Sequence, residues 1–193
     1  MEAVIVDLCG TLILENTTRS FLRHLSKKGI CSSLADLALS RVVSRISCFT
    51  PFDLTRRLLI MSLKGISKNV LYEEAREYVD DALRSHLNLE VESMMLGLRA
   101  DGAKVFLATS SLDPIASALD SRFGFTQVVS SQLEYRDEIC SGKFSLDATG
   151  QKWKLLTQQY PKLHQASIIT VFTDNEEDTD LRTAATSFHW VGR

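Results

Sequence analysis

The stretch that decides the fold lies at the start of the chain and reads Ala3-Val4-Ile5-Val6-Asp7-Leu8-Cys9-Gly10-Thr11-Leu12. Its four leading apolar residues, mostly β-branched, are typical of a strand that is buried on both faces. The apolar run stops at Asp7, and Gly10 permits a tight turn just beyond it. In open α/β sheets, polar residues at the carboxyl ends of strands face the ligand-binding crevice.

Further apolar strands alternate with helical patterns along the rest of the chain. Strands are predicted at residues 104–109, 128–129, 168–173 and 188–191, with a hairpin formed by 133–135 and 143–145 around a turn at Gly142. Asp113-Pro114 is interpreted as an N-cap followed by the first helical residue, and another helix is predicted over residues 153–160. This alternation predicts an α/β fold with a doubly wound, Rossmann-like parallel sheet.

A long helical block interrupts this pattern between Thr17 and Asn88, with breaks near Gly29, Pro51 and Gly65. Four helices are predicted there, one of them over residues 34–46. The block is too long for one crossover, so we predict an inserted helical cap at 15–88 and an α/β core formed by 1–14 and 89–193.

Charge is distributed unevenly along the chain. Residues 15–72 hold ten Lys or Arg and three acids, a net +7, so the remainder carries −9 of the overall −2. Solvated helical faces explain such a segment, and so does a surface that receives an anion.

The composition excludes several classes of protein. A hydrophobic fraction of 45% is ordinary for a globular chain, and no apolar stretch approaches the ~20 residues of a membrane span. The four cysteines lack C-x-x-C spacing, so neither a zinc site nor a disulfide framework is indicated. We expect reduced thiols, a cytoplasmic location, and neither a nucleic-acid nor a membrane partner.

Three predicted strands end in polar residues, at Asp7, at Thr109-Ser110-Ser111, and at Asp174 through Asp178. Each aspartate alone also fits a helix cap or a turn. If the strands are neighbours, however, Asp7 and Asp174 converge at one edge of the sheet. A hard divalent cation with oxygen ligands would relieve their repulsion.

Four short motifs resemble those of the haloacid dehalogenase superfamily, in the same order and over the whole chain. They are Asp7-x-x-Gly10-Thr11-Leu12, Thr109, Lys152 and Asp174-x-x-x-Asp178. The helical insert and the hairpin before Lys152 are similar to the phosphoserine-phosphatase-like branch. The resemblance implies a Mg²⁺-dependent hydrolase or phosphatase that acts on a small phosphorylated metabolite.

The resemblance also implies a role for each matched position. Asp7 is the expected nucleophile and forms an aspartyl-phosphate, while Thr109 and Lys152 hold phosphoryl oxygens. Mg²⁺ is expected between Asp7, the backbone carbonyl of Cys9 and Asp174. Asp178 is expected in the same metal site, orienting metal-bound water or the lysine.

Substrate contacts are expected from the turn after Asp7 and from the cap. The expected residues are Gly10 and Thr11, in the Cys9–Leu12 turn whose backbone N–H groups could supply an anion nest, together with Ser110, Arg19, Arg23 and Arg56. Lys154 competes with Lys152, but on a helix the two lie roughly 200° apart, so only one faces the site. Lys152, closer to the helix start, is favoured.

Cys9 departs from the family pattern. Phosphatases of this superfamily normally carry a second Asp there, which protonates the leaving oxygen; its loss removes about 10²–10⁴-fold of general acid catalysis. A thiol is a poor replacement. The substrate could have a good leaving group such as an acyl or anomeric phosphate, or Glu15 or His24 could supply the proton.

Three other functions stay open to different degrees. A catalytically weakened phospho-ligand binder or regulatory protein also fits Cys9, and chemistry at carbon–halogen or carbon–phosphorus bonds does not need the missing Asp. A nucleotide-binding module is disfavoured, because neither G-x-G-x-x-G nor G-x-x-x-x-G-K-[ST] follows a strand.

Overall fold

A computed structural model describes residues 1–31, 53–176 and 178–192. Its six strands form one sheet in the order β4-β3-β2-β1-β5-β6, in which only the β3–β4 pair is antiparallel. The strands are β1 Glu2–Val6, β2 Lys104–Leu112, β3 Gln127–Arg136, β4 Ile139–Leu146, β5 Ile168–Thr173 and β6 Ser187–Trp190. The predicted α/β fold with a doubly wound, mainly parallel sheet is confirmed.

Helices cover both faces of this sheet. They are α1 Thr17–Lys27, α2 Asp53–Met61, α3 Lys68–His86, α4 Leu89–Ala100, α5 Asp113–Phe123, α6 Lys152–Gln159 and α7 Thr179–Ala184, with a 3₁₀ turn at Pro161–Gln165. Val4 and Val6 pack on one side in a cluster that includes residues of α4 and α5. Ala3 and Ile5 pack on the other with residues of α6 and α7. This alternation explains why β1 is apolar at every position from 3 to 6.

The helices α1, α2 and α3 belong to one insertion between β1 and α4, here called the insert (residues 15–88). Its two connections to the sheet lie side by side, because Leu14 N donates to His86 O (2.8 Å) and Asn88 N donates to Leu12 O (2.9 Å). The predicted helix over 34–46, with Arg41 and Arg45, lies outside the described residues. None of the described helices is long and apolar enough to cross a membrane.

The predicted helix cap at Asp113 is wrong. The N-cap of α5 is Leu112, with no side-chain capping bond. The buried Asp113 carboxylate instead accepts hydrogen bonds from Leu133 N (3.0 Å) and Tyr72 OH (2.8 Å). Asp113 therefore ties α5 to β3 and to α3. Without its carboxylate, Leu133 N and Tyr72 OH would lose this acceptor.

The predicted hairpin is also shifted. Its turn lies at Asp137 and Glu138, whose φ angles of 50° and 63° are left-handed. Gly142 lies inside β4, where Met61 and Lys64 of the insert approach it closely. The predicted strand at 128–129 continues without a break into the hairpin as β3, and β2 extends past Thr109 to Leu112.

Candidate active site

The ends of β1, β2 and β5 meet at one edge of the sheet. Val6 pairs with Leu107 of β2 and with Phe172 of β5, so the residues that follow these strands emerge together. They open into a cavity of about 380 Å³. Its lining brings together the predicted residues Asp7, Cys9, Thr109, Ser110, Lys152 and Asp174.

Lys152 links two of the predicted aspartates. Its Nζ lies 2.9 Å from Asp7 Oδ1 and donates a hydrogen bond of 2.7 Å to Asp178 Oδ2. Thr173 Oγ1 donates to the same Asp178 oxygen at 2.8 Å. Asp178 thus holds Lys152 in place, whereas the exposed Lys154 points elsewhere on α6.

Burial and charge set the protonation of this group. Burial raises the pKa of Asp7 to about 6, with Lys152 opposing the rise and Asp178 adding to it. Burial disfavours the charged form of Lys152, but the neighbouring Asp7 and Asp178 more than offset this and raise its pKa. At neutral pH the pair is therefore an ammonium beside a carboxylate.

One oxygen of Asp7 faces Lys152. Asp7 Oδ1 is buried, and Lys152 Nζ lies 2.9 Å from it, although the ammonium directs its aligned hydrogen bond at Asp178. A buried carboxylate oxygen without a directed donor is costly unless a cation lies beside it, and Lys152 is that cation.

Asp174 lies against the turn that follows Asp7. A Cβ built on Gly10, whose φ is +72°, would lie 2.0 Å from Asp174 Oδ2. Thr11 Oγ1 donates to Asp174 Oδ1 (3.3 Å) and accepts from Asp174 N (2.9 Å). Gly10 and Thr11 thus shape the position of this exposed carboxylate.

The structure accounts for two N–H groups of the predicted anion nest at Cys9–Leu12. Gly10 N donates to Ile13 O (2.8 Å) and Thr11 N donates to Leu8 O (3.3 Å), so the turn itself uses both groups. Closing so tight a turn therefore takes up these two backbone donors.

Cys9 and Thr109 belong to one hydrogen-bonded chain. Cys9 Sγ lies 2.9 Å from Thr17 Oγ1, which lies 2.8 Å from Ser111 Oγ. Ser111 N donates to Thr109 Oγ1 (3.0 Å), which leaves the Thr109 hydroxyl hydrogen for another acceptor. Burial, and then the charge of Asp7, raise the pKa of Cys9, so it remains a thiol at neutral pH.

The two alternative proton donors do not reach this site. Glu15 accepts hydrogen bonds from Tyr78 OH (2.7 Å) and Ser20 Oγ (2.6 Å), and it does not line the cavity. The structure therefore removes it as a candidate acid, because its carboxylate is committed inside the insert.

His24 is removed for a similar reason. Its Nε2 lies 2.8 Å from Glu74 Oε2, away from the cavity. Together with Glu77 these side chains approach closely enough to hold a metal ion. However, Lys28 Nζ already donates to Glu74 (2.7 Å) and Glu77 (2.6 Å), which supplies the positive charge there.

The predicted arginines separate into two groups. Arg19 and Arg56 line the cavity, whereas Arg23 is exposed on α1 and does not. Arg23 follows Arg19 by four residues, so it lies one helical turn farther from the start of α1.

Sequence reasoning missed several residues of the cavity wall. These are Asn16, Thr18, Leu59, Thr149 and Asn175, and Ser111 was named only as part of a strand end. Asn16 carried a readable signal, since it is an N-cap residue directly before a helical pattern, and its side chain accepts from Arg19 N. Asn175 could have been found by its position beside Asp174.

Comparison with known proteins places this geometry in context. The model of the haloacid dehalogenase-like hydrolase family matches residues 4–181. A protein of unknown function from Bordetella pertussis Tohama I has a similar structure, with a TM-score of 0.82, 18% identity, and 97% of this chain and 88% of that one covered. No curated protein matches the sequence.

Two further solved structures share the fold. A phosphoserine phosphohydrolase-like protein from Francisella tularensis subsp. tularensis SCHU S4 has a TM-score of 0.65 at 17% identity, with 97% of this chain and 86% of that one covered. A phospho-aspartyl intermediate analogue of phosphoserine phosphatase has a TM-score of 0.63 at 14% identity, with 97% and 84% covered.

Proposed function

Because the chain belongs to the haloacid dehalogenase-like hydrolase family, we propose that it is a magnesium-dependent phosphatase acting on a small phosphorylated metabolite. The proposal depends on one observation above all: the buried Lys152 ammonium lies against Asp7 at the wall of the cavity. A carboxylate held beside a fixed cation, at the carboxyl edge of a parallel sheet, suits attack on an anionic phosphoryl group.

Asp7 is the nucleophile in this reaction. With its pKa near 6 it is ionised at neutral pH, and burial removes the water that would weaken its attack. An Asp7 oxygen forms a bond to phosphorus while the bond from phosphorus to the leaving oxygen breaks. Water then hydrolyses the aspartyl-phosphate, releasing inorganic phosphate and restoring Asp7.

Thr109 and Lys152 hold the phosphoryl oxygens during transfer. The Thr109 hydroxyl hydrogen is free for an acceptor, because Ser111 N already occupies its oxygen. Lys152 is fixed by Asp178 and needs no reorganisation as charge moves onto the phosphoryl oxygens. Asp178 is thereby assigned to holding the lysine.

The donors at the cavity fit Mg²⁺. Asp7, Asp174 and the Cys9 carbonyl supply only oxygen, the ligand type that Mg²⁺ prefers, and these three residues line the cavity together. The bound ion would neutralise the charge that otherwise keeps an anionic nucleophile away from an anionic phosphate.

The leaving group must depart with little protonation. Among the described residues that line the cavity, the carboxylates are Asp7 and Asp174. Asp7 is the proposed nucleophile and both are proposed Mg²⁺ ligands, so neither serves as the acid. The Cys9 thiol, with its raised pKa, is a weak acid. We therefore favour acyl, anomeric or aryl phosphates over alkyl phosphates.

The insert acts as a cap that selects the substrate. Asn16, Thr18 and Arg19, at the start of α1, form part of the cavity wall. A cavity of about 380 Å³ suits a small metabolite. Arg19 supplies positive charge towards an anionic substrate.

A panel of phosphate esters and acyl phosphates, assayed with and without Mg²⁺, tests this function. Phosphate release should require Mg²⁺, favour acetyl phosphate and p-nitrophenyl phosphate, and disappear in Asp7→Asn. Cys9 also supports a second candidate, a phospho-ligand binder. In that case no compound would be hydrolysed, although inorganic phosphate would still bind.

A further inference from the structure

Arg56 extends from α2 of the insert onto two segments of the core, the end of β2 and the loop that precedes α6. Its Nη2 donates to the carbonyl oxygen of Ser110 in β2 (2.9 Å), and its Nη1 donates to the hydroxyl of Thr149. Ser110 directly follows Thr109, and Thr149 lies three residues before Lys152, the first residue of α6. One guanidinium therefore joins the two segments that lie next to the proposed phosphate-holding side chains.

A closed network surrounds this guanidinium. Arg56 Nη2 also donates to Ser131 Oγ (2.9 Å) and lies 3.0 Å from Asp147 Oδ1. Asp147 Oδ1 in turn accepts from Thr149 N (2.9 Å) and Thr149 Oγ1 (2.7 Å). The Arg56 guanidinium also lies over the Phe144 ring, 4.8 Å from its centroid.

These contacts leave little of Arg56 for a ligand. Its side chain is only 16% exposed, and Nη2 alone faces three core acceptors. A planar fork of donors suits several fixed acceptors at once, which the point charge of a lysine does not reproduce. Each of these hydrogen bonds comes from a charged donor, so the arginine holds both segments more firmly than a neutral donor would.

We propose that Arg56 is a positioning residue that couples the seating of α2 on the core to the geometry of the end of β2 and of the loop before α6. This role rests on the proposed phosphatase function and assigns Arg56 to site assembly instead of direct substrate contact. When α2 is seated, the guanidinium fixes the Ser110 peptide and the segment 147–149. When it is withdrawn, the backbone beside Thr109 and the segment leading to Lys152 lose a shared support, while Asp178 still holds the Lys152 ammonium.

Hydrogen–deuterium exchange of the ligand-free protein tests this coupling without any substrate. Arg56→Met should speed amide exchange about tenfold in peptides that cover 109–112 and 147–152, because charged hydrogen bonds are lost. Peptides from β5 and β6 should be unaffected. Arg76→Met, which changes an exposed arginine of α3, should match the wild type.

Inorganic phosphate with Mg²⁺ provides the second measurement. Arg56→Met should weaken its binding about tenfold, since the backbone beside Thr109 and the segment leading to Lys152 are no longer fixed, and Arg56→Lys should restore only part of the loss. Asp147→Asn, at a half-exposed position, should speed exchange in the same two segments and carries the test if Arg56→Met does not fold.

Unchanged exchange in both peptides, 109–112 and 147–152, or equal acceleration across β5 and β6, would overturn the proposal. So would full retention of phosphate binding, which is the result expected if Arg56 contacts only a remote part of the substrate. Because exchange is measured without turnover, a protein that hydrolyses no phosphate would still show the coupling. The two proposals therefore fail separately.

Discussion

The Nζ of Lys152 lies 2.9 Å from Oδ1 of Asp7, and the two side chains are 1% and 5% exposed. Water cannot screen a pair buried this deeply, so each charge depends on the other. Asp178 Oδ2 also lies beside this ammonium, 2.7 Å from Lys152 Nζ. The nucleophile of the proposed reaction is thus also part of the buried structure.

Removal of Lys152 should therefore lower stability as well as activity. Lys152→Met leaves Asp7 and Asp178 buried without their cation, and breaking such a group typically costs about 3–5 kcal/mol. Denaturant unfolding measures this loss. Lys154→Met, at the exposed lysine two residues away, is the control; equal stability of the two variants would contradict the buried ion pair.

Binding of Mg²⁺ should depend on pH through Asp7. Its pKa is raised to about 6 in the metal-free protein, so the carboxylate is protonated below that pH and ionised above it. A proton and Mg²⁺ compete for the same oxygens, so affinity should be about tenfold lower at pH 5 than near neutrality. Titration calorimetry at the two pH values measures this difference. Asp7→Asn should abolish it, and an unchanged affinity in the wild type would exclude Asp7 as a ligand.

Cys9→Asp should raise the rate with an unactivated alkyl phosphate by up to about 10²-fold, because it restores a carboxylic acid near the leaving oxygen. The gain should be small with acetyl phosphate, whose leaving group needs little protonation. Cys9→Ser, which keeps a small side chain beside Thr17, should show neither gain. A folded Cys9→Asp protein with no improvement would rule out the missing acid as the limiting factor.

Gly10→Ala should weaken Mg²⁺ binding by displacing Asp174. The new Cβ would lie 2.0 Å from Asp174 Oδ2, so the carboxylate must move. Gly29→Ala is a matched control, because Gly29 has a similar φ of +67° but nothing within 4 Å of the added atom. Both variants should lose comparable stability, while only Gly10→Ala should lose metal affinity. Equal affinity of the two proteins would contradict a metal site at Asp174.

The sequence was sufficient where a residue's role follows from its immediate neighbours. Asp7, Thr109 and Asp174 each follow an apolar run, so their convergence could be predicted once the strands were predicted to be parallel. Helical geometry allowed only one of Lys152 and Lys154 to face the site, and Lys152 was favoured because it lies closer to the helix start. The structure places Lys152 in the cavity wall and leaves Lys154 exposed.

Other features depend on partners that are distant in sequence. The acceptors of Arg56 lie 54 to 93 residues away, and no local pattern indicates that they meet at one guanidinium. Asp113 looked like a helix cap because its true donors, Tyr72 and Leu133, belong to other elements. The hairpin turn at Asp137 and Glu138 lacks the glycine that usually marks left-handed residues, so the sequence pattern predicted the turn at Gly142 instead.

Transfer of the phosphoryl group to Asp7 is tested most directly by trapping it. The protein would be mixed with acetyl phosphate and Mg²⁺, quenched in acid during turnover, and mapped by mass spectrometry. We expect one phosphoryl group on the peptide that contains Asp7, absent from Asp7→Asn and from protein quenched without substrate. Continued hydrolysis in Asp7→Asn, or turnover with a phosphoryl group on another residue, would contradict the proposed mechanism.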